Sequence, residues 1–194
     1  MAIQRFDTEN AKDPNYESAA GQTFPRELLY AKRLTEWVLK LVPDASEGLR
    51  LAARCQHIRR WEVPRSSFPL DKAGYHRWRT RLKSFHAEIA GKILRDCGYD
   101  EKIISRVQEL NLKKRFPDDP ESRTLEDALC LMFLEYQFKE LAARTDRDKI
   151  LNALRKSWAK MTENARKIAL CLPFEQRERE LIAEALASSK PGDP

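Results

Sequence analysis

The sequence predicts an all-α protein, and three observations carry that prediction. Apolar residues recur at three- and four-residue spacing through most of the chain after Pro25, as in "RELLYAKRLTEWVLKL" and "HRWRTRLKSFHAEIAGKIL". No stretch alternates apolar and polar residues as a half-buried strand does, and no segment repeats. Ser, Thr and Asp stand just ahead of several of these stretches, where a helix wants a side-chain cap. The 194 residues suffice for one domain with its own core. The expected layout is a flexible N-terminal tail over 1–24, a single helical domain of about six to eight helices over 25–188, and a disordered end over 189–194.

Taken in order, the first residues are polar and turn-rich, with "DPN" and "GQTFP". Arg26–Leu41 then carries one apolar stripe of Tyr30, Leu34, Trp37, Val38 and Leu41. "PDASEGLR" breaks it, and Ser46 is placed to cap a helix running to about Arg60. Residues 62–73 hold two prolines and read as a loop of the length that often carries function. A long helix follows from about Gly74 to Cys97, with Trp78, Leu82, Phe85, Ile89 and Ile93 as its core face. Asp100 can cap a helix that turns Ile103, Ile104, Val107 and Leu110 inward. After the turn "RFPDDPESRT" the chain is helical from Thr124 to about Arg144, and Asp146 can cap the next helix, which carries Ile150, Leu151, Leu154, Trp158 and Met161. Pro173 parts two final helices, Thr162–Leu172 and Phe174–Ser188.

Composition excludes several classes. No run approaches the roughly 18–20 apolar residues that span a bilayer, and "MAIQRFDTENAKDPN" has no apolar signal core. The four cysteines (Cys55, Cys97, Cys130, Cys171) are scattered through apolar helical stretches without zinc spacing, so buried reduced thiols and a cytoplasmic location are expected. The charge is more informative once located. Between Arg54 and Arg81, seven arginines and one lysine face only Glu62 and Asp71, a net +6 that equals the whole chain's. Arginine's planar fork matches phosphate or carboxylate, so an anionic partner is expected.

At 100° per residue, Leu49, Ala52, Ala53 and Gln56 share one face of the helix after Ser46, while Leu51, Cys55 and Ile58 take the opposite one. A helix apolar on two sides belongs at the centre of the fold. Arg50, Arg54, His57 and Trp61 fall in the stripe between, facing either a cleft or solvent. His86 flanks the apolar face of the long helix, nearly eclipsed with Arg79. Asp127 stands in "TLEDALCLMFLEYQF", apolar nearly all round, where a lone carboxylate would cost several kcal/mol to bury. Its partner is a metal, an arginine, a histidine, or the backbone through a capping box with Thr124; Glu126 beside it is a weaker candidate. No phosphate-cradling glycine loop, no HExxH or ExxH, and no GxSxG occurs.

The segments "ELLYAKRLTEWV", "AARCQHIRRWEVPRSSFPLDKAGYHRWR", "FHAEIAGKILRDCGYD", "LEDALCLMFLE" and "LRKSWAKM" resemble a family catalogued as a domain of unknown function, across about residues 24–172. Some of its members carry a glutamyl-tRNA synthetase-like label, although the nucleotide-binding signatures of such enzymes are missing here. More distantly, the helix order resembles the HD superfamily of metal-dependent phosphohydrolases. "LAARCQHI" falls where that family has its His-Asp helix, with Gln56 at the histidine and His57 at the aspartate. "LEDALCL" falls at its late aspartate, Asp127, and His86 at an accessory histidine, while Tyr30 or Arg33 stands where its first histidine would be.

The resemblance implies an HD-like bundle that binds a phosphorylated small molecule or nucleotide, with its hydrolysis left open. His57, His86 and Asp127 would then be catalytic and hold one divalent metal ion, within a ligand set the family pattern leaves incomplete. Arg50, Arg54, Gln56, Arg59, Arg60, Trp61, Arg65 and Arg79 are the expected substrate-binding residues. Two alternatives stay open. The Arg/aromatic window over 54–81 could bind RNA, or the arginines could meet acidic residues of a protein partner.

Overall fold

The computed structural model describes residues 1–187 and places ten α-helices and one β-hairpin among them. The all-α prediction holds for the helical class, with more helices than expected and one small two-stranded sheet that it did not include. The described chain falls into two compact units, Met1–Leu125 and the residues from Glu126 onward. The segment 189–194, expected to be disordered, lies outside the described residues.

The first unit begins with the largest departure from the sequence reading. Residues 1–24 are structured: α1 (Ala2–Asn10) is followed by β1 (Tyr16–Ala19) and β2 (Gln22–Pro25), paired antiparallel with Tyr16 opposite Pro25. The hairpin turns through Ala20 and Gly21, both at positive φ, the geometry a two-residue turn needs to match the strand twist. Helix α1 is held by Ala2, Phe6 and Asn10, which are fully buried. A helix with so few apolar residues, and strands of four residues each, give almost no periodic signal. Their docking is tertiary in origin.

Helix α2 (Arg26–Leu41) forms as expected and buries Leu34, Trp37 and Val38. Ser46 caps α3 (Glu47–Cys55), accepting from the Leu49 amide at 3.1 Å. Leu49, Leu51, Ala52, Ala53 and Cys55 are all buried, and α3 packs on α1, α2 and α5, which is the central position inferred from its two apolar faces. The helix does not run to Arg60. It stops at Cys55, turns tightly, and resumes as short 3-10 turns over Arg60–Glu62 and Arg65–Ser67. Asp71 caps α4 (Lys72–Asp96) through the Gly74 amide at 2.6 Å. A side chain at Gly74 would collide with the Pro69 carbonyl at 2.1 Å, so the loop before α4 lies against backbone that only glycine exposes. Asp100 caps α5 (Glu101–Leu112), which packs along α4.

Helix α6 (Pro120–Met132) continues through one π-helical turn, Phe133–Gln137, into α7 (Phe138–Arg144). The second unit is completed by α8 (Arg147–Lys160), α9 (Glu163–Leu170) and α10 (Gln176–Ala187). Phe138, Ile150, Leu151, Leu154, Leu181, Ile182 and Ala185 form its core, where α10 packs on α7 and α8. No described helix is long and apolar enough to cross a membrane. All four cysteines are free, but only Cys55 and Cys130 are buried; Cys97 is half-buried and Cys171 exposed, contrary to the uniform burial expected.

Candidate anion-binding cleft

The turn after α3 sets the site, and α1 makes the turn. The Asn10 side chain accepts from the Arg59 amide at 3.2 Å, while the Ile58 amide takes the Cys55 carbonyl at 3.0 Å. Arg59 is thereby held in the left-handed region at φ 52°, at the end of the turn that follows Cys55, so the helix does not resume there. The Ile58 carbonyl, released from the helix, accepts from His86 Nδ1 at 2.8 Å. His57 consequently leaves the helical stripe assigned to it and, with Arg60, turns toward α2 and α4.

There they meet Glu27, in the first turn of α2. Its amide donates to Asp13 Oδ2 at 3.0 Å, and Asp13 Oδ1 also accepts from the Asn15 amide and side chain, both at 2.9 Å. The N-terminal segment therefore supplies the side-chain cap for α2 and fixes where Glu27 stands. Arg60 Nε lies 3.8 Å from Glu27 Oε1, and Arg60 Nη1 donates to His57 Nε2 at 3.3 Å. Because arginine can only donate, the His57 proton sits on Nδ1, which lies 3.3 Å from Glu27 Oε2 but off the line of a hydrogen bond. Tyr30 stacks flat on the His57 ring, with centroids 4.0 Å apart, and the His86 ring lies 5.7 Å beyond. His86 must donate through Nδ1 to a carbonyl, so its Nε2 is a bare, buried acceptor.

Burial dominates the electrostatics of this group. It raises the Glu27 carboxyl to about 7, against the opposing pull of Arg60, with Asp13 reinforcing the rise. It lowers His86 to about 4 and His57 well below the usual histidine range, with Arg60 and Arg79 adding to both shifts. Arg60 is itself pulled down by burial, against the raising effect of Glu27. At neutral pH the two imidazoles are uncharged, and the Glu27 carboxyl is divided between its two forms.

Glu27 and Arg60 also form part of the wall of an open cleft of about 400 Å³, lined further by Asn15, Arg26, Trp61, Val63, Arg65 and Trp78. The Trp78 indole N–H donates to the Val63 carbonyl at 2.8 Å, and the Arg60 and Arg65 guanidinium groups lie 4.9 and 6.0 Å from its ring. Trp78, read from the sequence as core, is half-buried and supports the cleft's arginines. Arg65 is braced by the Phe68 and Asp71 carbonyls at 2.9 and 3.3 Å.

The other expected anion-binding residues have different partners. Arg54 makes a bidentate pair with Asp7 at 2.7 and 2.8 Å, Arg59 pairs with Glu62 at 2.7 Å and lies 3.9 Å from Glu9, and Arg50 is exposed. Gln56 is buried with its carbonyl oxygen unpartnered. Arg79 is half-buried and acts on the histidines through its charge. Asp7, Glu9 and Glu27, which sequence distance had placed outside the +6 window, therefore offset up to half of its charge. Sequence reasoning missed Glu27, Arg26 and Asp13. Their only local signal is an acid at the start of a helix and an Asx turn before it.

Asp127 belongs to the second unit and is fully committed there. Its Oδ1 accepts from the Thr162 amide at 2.8 Å and its Oδ2 from the Thr162 hydroxyl at 2.6 Å, while that hydroxyl caps α9. The capping box with Thr124 does not form, since the Thr124 hydroxyl donates to the Pro120 carbonyl within α6. Glu126 is buried against Lys160 at 3.0 Å. No group of three or more His, Cys, Asp or Glu side chains among the described residues is placed to hold a metal ion. Of the expected set, His57 and His86 meet within the first unit, and Asp127 is held within the second by Thr162.

Comparison with curated proteins and with solved structures gives no match. The sequence profile of a domain of unknown function, DUF4202, matches residues 1–182, and the chain belongs to that family.

Proposed function

We propose that the first unit binds a small phosphorylated molecule, of mononucleotide size, in the cleft between α2 and the 3-10 turns. One observation carries this reading: Arg26, Arg60 and Arg65 line the same cleft of about 400 Å³, beside two tryptophans. That volume is in the range of small-ligand sites, which join an apolar lining to a few convergent polar groups. Guanidinium groups held by an indole ring and by backbone carbonyls are partly preorganised, so less side-chain entropy is lost when an anion arrives. A cytoplasmic setting, where phosphorylated metabolites are abundant and thiols stay reduced, goes with this reading.

Binding is the extent of the proposal. The metal-dependent hydrolysis implied by the HD resemblance needs a ligand set that the described residues do not assemble, and no step is derived through one. An RNA surface would need the arginines of the 54–81 window free along its length, whereas Arg54 and Arg59 pair with acids of the chain itself.

Titration calorimetry tests the reading, with inorganic phosphate, a nucleoside monophosphate and a single-stranded RNA oligonucleotide as titrants. The expected result is saturable binding of the mononucleotide that weakens at least tenfold in Arg65→Ala. Tighter binding of RNA with a steep salt dependence, or no binding of any of the three, overturns it.

A further inference from the structure

Trp61 and Trp78 both line the cleft, but they are not equivalent. Trp78 is engaged by the protein itself. Its indole N–H donates to the Val63 carbonyl at 2.8 Å, the Arg60 and Arg65 guanidinium groups lie 4.9 and 6.0 Å from its ring, and the Tyr75 ring stands 5.8 Å away. Trp61 reaches the same cleft from the 3-10 turn over Arg60–Glu62 and is half-buried. Among the described residues its ring pairs with no aromatic ring or cation, and its N–H with no acceptor. An indole left partly against water in a concave wall gains when another flat apolar surface covers it.

We propose that Trp61 is the stacking platform of the cleft and makes it selective for phosphate esters that carry an aromatic base over sugar phosphates without one. The inference rests on the binding reading above and names the ligand class within it. Trp61 follows Arg60 directly and stands four residues before Arg65, so the same short turns set the indole and two of the guanidinium groups. A ligand with one phosphate and one flat ring can meet both, its oxygens on the arginines and its ring on the indole. Stacking reads the face of a base rather than its hydrogen-bonding edge, so the cleft accepts different bases and favours the larger ones. Glu27, beside Arg60, repels each phosphate monoester alike and does not bear on a choice among ligands with the same phosphate. Trp78 acts on the ligand only through the arginines it holds.

The test compares adenosine monophosphate, uridine monophosphate and ribose 5-phosphate, which share a sugar and a phosphate monoester and differ in the base. They are titrated into the full chain, into Trp61→Ala and into Trp61→Phe. The wild type is expected to bind adenosine monophosphate about tenfold or more tighter than ribose 5-phosphate, the effect of one base stacked on an aromatic side chain, with uridine monophosphate between them. In Trp61→Ala the two nucleotides should fall to within about threefold of ribose 5-phosphate, whose own affinity stays near the wild-type value. Trp61→Phe keeps a flat ring and should keep a severalfold preference. Equal wild-type affinity for adenosine monophosphate and ribose 5-phosphate overturns the proposal, whether or not a variant folds. So does a preference that survives in Trp61→Ala, and so does a Trp61→Ala that weakens all three ligands alike, which would mark the indole as a support for the arginines. Failure of all three to bind the wild type would instead overturn the binding reading beneath it.

Discussion

The Tyr30 ring lies on the His57 imidazole with centroids 4.0 Å apart and planes 17° from parallel. This contact joins α2 to the turn after α3, and it covers a face of a ring that burial keeps uncharged. Replacing Tyr30 with alanine would open that face to water, so the expected outcome is a rise of the His57 pKa toward the ordinary histidine value. Tyr30→Phe should keep it low. NMR titration of the imidazole resonances reads this directly, and an unchanged His57 in Tyr30→Ala would show that the stack does not shield it.

Glu27 and the histidines oppose each other in the pH dependence of stability. The Glu27 carboxyl is raised from 4.5 to about 7 in the folded state. Between those values the folded chain holds a proton that the unfolded chain has released, so stability falls as pH rises through that window. His86, lowered from 6.5 to about 4, acts the other way: the unfolded chain takes up the proton first, and stability rises with pH between 4 and 6.5. His57 shares that direction. Glu27→Gln removes the falling limb alone. Its stability relative to wild type should be near zero at pH 4.5 and grow to about 3 kcal/mol in its favour by pH 7, from ~1.4 kcal/mol per pKa unit. Denaturant titrations at several pH values measure the difference, and one that does not change with pH would refute the assignment.

The N-terminal segment is expected to be part of the cooperative fold. Phe6 is fully buried, and Asn10 holds the turn that delivers His57 and Arg60. Phe6→Ala should cost about 3–5 kcal/mol, as for other buried aromatics, and Asn10→Ala about 1–2 kcal/mol through the lost bond to the Arg59 amide. A flexible tail would make both changes silent in thermal unfolding.

What could be read from the sequence divides along physical lines. The helices with strong apolar periodicity, α2, α3, α4, α5 and α8, start close to where spacing and the Ser46 and Asp100 caps put them, because both signals are local, although Asp146 makes no side-chain cap bond to α8. The turn after Cys55 was not legible: nothing in "LAARCQHIRRW" stops a helix, and a group that fixes the turn is Asn10, 49 residues before the Arg59 whose amide it accepts from. The same distance hid the neutralisation of the arginine window by Asp7, Glu9 and Glu27. Asp127 was rightly read as needing a partner, but the partner is Thr162, also contributed from a distance. Of the expected site, His57, Arg60, Trp61, His86 and Arg65 come to the cleft or the histidine pair behind it, and the acid beside them within the first unit is Glu27.

The Asp127–Thr162 bonds give a prediction for the second unit. Asp127→Ala leaves the Thr162 amide and hydroxyl without their acceptors at the start of α9, a loss of about 2–3 kcal/mol for hydrogen bonds to a buried charged group. Asp127→Asn keeps one oxygen acceptor and should lose about half as much. Thr162→Val removes the hydroxyl bond and the α9 cap but retains the amide bond, so it should fall between wild type and Asp127→Ala. In a double-mutant cycle, Asp127→Ala with Thr162→Val should cost clearly less than the sum of the single changes. Strict additivity would show that Asp127 is held by something other than Thr162.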